Sequence, residues 1–252
     1  MSNEYPQHPS YPGPTQPGDG SAAHPSVPDL STQGHVQPHV PTEQPRHLGA
    51  LTAWTIATAV SVTTVPLVGL ALVWDARATW LDAAANGRSA LDVVTPYELS
   101  WILLFPLTIA TYVVTCLWLY RARTNVDVLS PGSWHARSRG WVWGGWVVPF
   151  VSLWFPFQVV RDVLRSRERP DAPTTGLGWW WAAWIVAMAV SQIESNMTPW
   201  DDIDVAAVDA IPIVSTIGAV TMVIACVLWI RVVLAVAQDQ RALLERAGVP
   251  SR

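Results

Sequence analysis

Five long stretches of this chain carry no Asp, Glu, Lys or Arg: Leu48 to Trp74, Leu99 to Tyr120, Trp141 to Val160, Gly176 to Ile193 and Ala210 to Ile230. A helix that crosses the hydrocarbon core of a bilayer needs about 20 apolar residues, so most of these runs read as spanning helices. Packed as a soluble core, five such helices would leave too little polar surface to cover them. The pattern predicts an all-α, polytopic helical membrane protein. Tryptophan placement agrees: Trp54 and Trp74 bracket the first run, Trp101 and Trp118 the second, Trp179, Trp180 and Trp181 open the fourth, and Trp229 closes the fifth. An indole joins an apolar body to one N–H donor and settles at the headgroup level.

The third run differs from the others. In GWVWGGWVVPFVSLWFPFQVV, from Gly140, Pro149 and Pro156 each lack a backbone donor and Gly144 and Gly145 loosen the start. Broken backbone survives at membrane depth where protein buries it. The arginine distribution separates a crossing from a dip, because cytoplasmic loops collect basic residues. If all five runs cross, the two sides hold 5 and 10 arginines; if 141–160 enters and returns, they hold 13 and 2, the two being Arg77 and Arg88. The expectation is four transmembrane helices plus one re-entrant or interfacial proline-broken segment, with both termini cytoplasmic and the cell membrane as location. Five transmembrane helices are the alternative.

Residues 1–47 read as a disordered proline-rich cytoplasmic tail, since they hold too few aliphatic residues to offset the entropy of ordering. Their P-x-x-P spacings could dock on a protein partner with an aromatic groove. The helical membrane domain follows over 48–230. Between its first two runs, DARATWLDAAANGRSALDVVTPYE suits one or two short helices, an Asn86–Gly87 turn and Pro96 before the next helix. After Phe157, Val159, Val160, Val163 and Leu164 alternate with Arg161, Arg165 and Arg167 at helical spacing. That predicts an amphipathic helix on the cytoplasmic leaflet, its arginines meeting anionic lipids. Residues 231–252 read as a cytoplasmic amphipathic helical tail with Val233, Ala237 and Leu244 on one face and Gly248 and Pro250 as a stop.

Candidate chemistry is sparse. The net charge is -4, all 15 basic residues are arginine, and no basic cluster interleaves with aromatics outside the runs, so no nucleic-acid partner is expected. Cys116 and Cys226 lie in apolar runs as small hydrophobes. His35 and His39 are separated by Pro38, which argues against a helical metal pair. Asp201, Asp202 and Asp204, with Glu194 close by, read as a solvated face rather than a metal or catalytic set. Within the runs Thr58, Ser61, Thr63, Thr64, Thr108, Thr111, Thr115, Ser215, Thr216 and Thr221 read as helix-packing hydroxyls. No catalytic residue, cofactor or metal site is expected.

One block is more specific. Arg121 and Asn125 in YRARTNVDVL, then Trp146, Pro149, Leu153, Trp154, Pro156 and Gln158, and later GLGWWWAAW, resemble the actinobacterial membrane proteins carrying domain of unknown function 4328. The resemblance covers about Leu48 to Ala247. The chain departs from that family's pattern at Arg139 for proline, Ser152 for asparagine, Phe155 for arginine and Phe157 for tyrosine. It implies a polytopic membrane protein and no activity, and it marks Arg121, Asn125, Trp146, Pro149, Trp154 and Pro156 as a motif of unknown role. The resulting expectation is a non-enzymatic scaffold or regulator with a cytoplasmic lipid- or protein-binding surface. A small transporter or channel component for a neutral or weakly polar solute is the alternative.

Overall fold

The computed structural model describes residues 44–129, 137–165 and 176–249. The expectations for the proline-rich tail before residue 44, for His35 and His39, and for Arg167 fall outside these residues. Among the described residues every regular element is helical. In chain order they are α1 (Gly49–Ala85), α2 (Pro96–Ile102), α3 (Leu104–Leu129), α4 (Trp141–Gly144), α5 (Phe155–Leu164), α6 (Leu177–Met197) and α7 (Val205–Arg246).

Three stretches are long and apolar enough to cross a membrane: α1, α2 with α3, and α7. Helix α1 runs on from Trp74 to Ala85, where short separate helices were expected. Nothing in DARATWLDAAA breaks a helix, and the first stop is the Asn86–Gly87 turn, with Gly87 at φ 63°. Helix α2 then opens on Pro96 at its first turn, with a Thr95–Glu98 capping box. It bends into α3 at Leu103 because Pro106 cannot donate to the Ile102 carbonyl. Asp204 caps α7 by accepting from the Ala206 and Ala207 N–H groups.

Helix α6 carries three consecutive tryptophans and Glu194, and its 21 residues give it about 31 Å of length at 1.5 Å per residue. It packs antiparallel to α7, with Trp180 stacked on Trp229 at 4.6 Å and Glu194 against Ser215 at the other end. Helix α1 packs on α3 and α7, tied by Trp118 Nε1 donating to Thr52 Oγ1 at 3.1 Å and by an Arg77–Asp209 ion pair at 2.6 Å. Four helices thus lie side by side. His47 and Leu48 at the start of α1 and Arg241 and Leu244 near the end of α7 line one common hollow.

The tryptophans divide into two sets. Trp54, Trp74 and Trp179 are exposed, as expected of a belt, whereas Trp118, Trp180 and Trp229 are buried in one aromatic cluster. Position at a run's end says how deep an indole sits, but not which side of its helix it occupies.

The Trp141 to Val160 segment does not form a spanning helix. Helix α4 has four residues, the chain then turns, and α5 starts beside α4, with the Trp141 and Phe155 rings 4.5 Å apart. Phe150, at the tip, has φ 62° and is 88% exposed. Pro156 proves to be a helix starter in the first turn of α5. Trp146 shares a small pocket with Thr115 on α3 and Trp180 and Trp184 on α6, which sets the hairpin against those helices. The hydroxyls expected at helix contacts mostly bond their own helix, as Thr63 does to Ala59 O and Thr216 to Pro212 O.

Two amphipathic faces point inward, and for α5 this differs from the expected place on the lipid leaflet. Val159, Val160 and Val163 of α5 are buried in the core formed with α3 and α7, so that face has no area left for a lipid surface. Residues 231–246 continue α7, with the shared face of Val233, Ala237 and Leu244 buried. The α5 valines share a core cluster with Val233, whereas Ala237 and Leu244 face the start of α1; sequence periodicity cannot distinguish such cover from a membrane surface.

Candidate functional site

Two polar constellations stand at opposite ends of the bundle. At the end shared by Leu48 and Leu244, the last turns of α3 carry Arg121 and Asn125 toward the chain entering α1, and Arg123 and Asp127 toward the feet of the hairpin. Asn125 is 1% exposed; its Nδ2 donates to Arg46 O at 2.9 Å and its Oδ1 accepts from Arg46 N at 3.0 Å. An amide that offers one donor and one acceptor to one residue imitates a strand neighbour, and it fixes the chain entering α1. Arg121 is half-buried and lines a hollow with Gln44, Arg46, Tyr120 and Asn125.

Arg123 is 4% exposed and donates from Nη2 to Arg137 O, while its Nε and Nη1 have no hydrogen-bond partner. Asp127 and Asp162 are its electrostatic neighbours. Around it, Arg139 pairs with Asp127 at 2.8 Å and Arg137 Nε donates to Gln158 Oε1 at 2.9 Å. The Arg137 guanidinium also lies 4.1 Å from the centroid of Phe155. Both feet of the hairpin therefore meet the same helix end, which places residues 137 and 158 on one side of the bundle.

The opposite end holds a buried carboxylate. Glu194 is 4% exposed; its Oε1 accepts from the Tyr97 hydroxyl at 2.6 Å and from the Ser215 hydroxyl. Tyr97 is itself fully buried, edge-on to Trp80 at 5.7 Å and to Trp101 at 6.1 Å. Beside the carboxylate opens a cleft of about 500 Å³ bounded by α2, the end of α6 and the 3-10 turn at residues 90–92. Sequence reading assigned Glu194 to a solvated acidic face. The signal was present in the spacing, since Glu194 lies seven residues beyond Ala187 and fourteen beyond Trp180, both on the core face of α6.

The acidic residues nearby have structural work. Asp204 caps α7, and Asp201 accepts the Ser89 hydroxyl at 2.7 Å and, through its carbonyl, the Ala90 N–H at 2.9 Å. Among the described residues no cluster of three or more His, Cys, Asp or Glu side chains could hold a metal ion.

The six motif residues do not converge. Arg121 and Asn125 sit at the end of α3, Trp146 packs edge-on to Trp181 at 6.4 Å, Pro156 is buried, and Pro149 and Trp154 are exposed. They mark the hairpin and its seat rather than one pocket.

A family model described as "Domain of unknown function (DUF4328)" matches residues 93–238, which takes in α2 through most of α7. No curated protein and no solved structure matches the chain.

Proposed function

The chain belongs to the DUF4328 family, and on that footing we propose that it is a cell-membrane protein that crosses four times, α6 included, with both termini cytoplasmic. It acts without catalysis, as a scaffold or regulator whose arginine-rich cytoplasmic end engages anionic lipid headgroups or a protein partner. The 141–160 hairpin enters the membrane from that same side and returns.

One observation carries the reading: charge is separated along the bundle. Among the described residues, Arg46, Arg121, Arg123, Arg137, Arg139, Arg161, Arg165, Arg241 and Arg246 gather at the end where α1 begins and α7 stops, outnumbering Asp127, Asp162, Asp239 and Glu245 there, while Arg231 lies partway along α7. The other end has Arg77 and Arg88, each in an ion pair with Asp209 or Asp82, amid further carboxylates at Asp75, Asp92, Glu98 and Asp201. Arginine excess marks the cytoplasmic side, and anionic lipids contribute roughly 1 kcal/mol per arginine held near their surface.

Single cysteines at Ser138, Asn86 and Ser195, in a Cys116→Ala, Cys226→Ala background, test this arrangement. A membrane-impermeant thiol reagent on intact cells should label Asn86→Cys and Ser195→Cys but not Ser138→Cys. Labelling at Ser138→Cys alone would invert the protein, and labelling that divides Asn86→Cys from Ser195→Cys would remove α6 from the set of crossings.

A further inference from the structure

The cleft beside Glu194 lies at the end of the bundle away from the arginines, and nothing proposed above uses it. A carboxylate withdrawn from water is stabilised by a cation or by enough donors to replace its hydration. Among the described residues, Glu194 receives two hydroxyls, from Tyr97 and Ser215, both on Oε1, and no arginine. Its position at the end of an apolar stretch makes it an expensive residue to keep, and ionisable groups in such places mark ligand or ion sites by default.

The walls specify what the carboxylate would face. The cleft is lined by Tyr97, Trp101 and Trp200, by the hydroxyls of Ser191, Ser195 and Thr198, and by Leu91, Val94 and Leu99; Glu98 adds a second carboxylate, and no basic residue lines it. Trp200 is 77% exposed and stands free at the rim. Its volume of about 500 Å³ falls in the range of small-molecule sites. Aromatic faces attract organic cations through the ring quadrupole, two carboxylates add net negative potential, and aliphatic walls accept an apolar body.

We propose that this cleft binds an amphiphilic organic cation, with a tertiary or quaternary ammonium or its equivalent near Glu194 and its hydrocarbon part against Leu91, Val94 and Leu99. Tyr97 and Ser215 position the carboxylate, and Trp101 and Trp200 flank the charge.

The purified full-length protein in nanodiscs tests this with two ions of nearly equal size and opposite charge, tetraphenylphosphonium and tetraphenylborate. Tryptophan fluorescence, corrected with empty nanodiscs, should show saturable quenching by the cation that the anion neither reproduces nor displaces. Glu194→Gln keeps the shape and the acceptor for both hydroxyls while removing the charge, and should weaken cation binding about tenfold or more. Trp200→Ala, at an exposed position that folding does not need, should weaken it by about fivefold. Equal saturable binding of both ions would overturn the proposal in favour of a plain apolar groove filled by acyl chains. Unchanged cation affinity in both variants would overturn it as well, by placing the bound cation elsewhere.

Discussion

At the scale of the residue, the arrangement turns on buried side chains that hold distant parts of the backbone. Asn125 uses its donor and its acceptor on the backbone of Arg46, in a site with almost no access to water. Removing one partner of a buried hydrogen bond strands the other, at a cost of about 1–3 kcal/mol. Asn125→Leu should therefore lower the thermal midpoint of the detergent-purified protein by several degrees. Asn125→Asp should cost at least as much, because it keeps the acceptor, leaves the Arg46 carbonyl without its donor and buries a charge. Equal midpoints for Asn125→Asp and the parent would show that the amide donor contributes nothing. The pairing of Arg121 with Asn125 was visible in the sequence as part of a motif, but their tasks were not. Nothing along the chain announces that a backbone segment some eighty residues earlier is the partner, since that contact forms only when α1 and α3 pack.

At the scale of the element, the hairpin shows how a run of apolar residues avoids becoming a helix across the bundle. Its two feet touch at Gly145, where an added Cβ would lie 2.7 Å from the Trp141 carbonyl and 3.2 Å from Phe155 Cβ. At the neighbouring Gly144, the nearest atoms are the Trp141 ring carbons at 3.7 Å and beyond, an ordinary contact. Gly145→Ala should thus destabilise by about 1–3 kcal/mol, the scale of overpacking a filled core, whereas Gly144→Ala should change stability by less than about 1 kcal/mol. A parallel measurement of both thermal midpoints checks the contrast, and equal losses would contradict the close approach at Gly145. The prolines and paired glycines made this break legible beforehand. The inward turn of α5 was not legible, because Val159, Val160 and Val163 make the same stripe whether a lipid surface or α3 and α7 cover it. The extension of α1 through Ala85 was missed for a related reason: charge ends an apolar run but does not end a helix.

At the scale of the whole molecule, the all-helical fold, its three long apolar stretches and its charge separation were largely legible, because they depend on sums over many residues. The Glu194 site was not, since it joins α2, α6 and α7 at single positions. The proposed lipid contact also belongs to this scale. Arg165 and Arg241 are exposed at the arginine-rich end, so Arg165→Gln with Arg241→Gln should reduce the preference for anionic over zwitterionic lipid by roughly thirtyfold, at about 1 kcal/mol each. Tryptophan quenching by brominated lipids of the two classes reads that preference, and it should weaken in high salt. No preference in the parent protein would remove lipid headgroups as the partner of that end.

Helix α7 connects the two ends mechanically. Ser215 touches the Glu194 carboxylate, and Gln240, farther along the same helix, donates from Nε2 to the Ala122 carbonyl at 3.1 Å. The interval between them, about 38 Å at ~1.5 Å per residue, contains no proline. A helix of that length transmits axial displacement as a stiff rod, so Ser215 cannot slide without Gln240 sliding with it. Any axial shift of α7 that carried Ser215 away from Glu194 would therefore also stretch the Gln240–Ala122 hydrogen bond, where α7 meets α3.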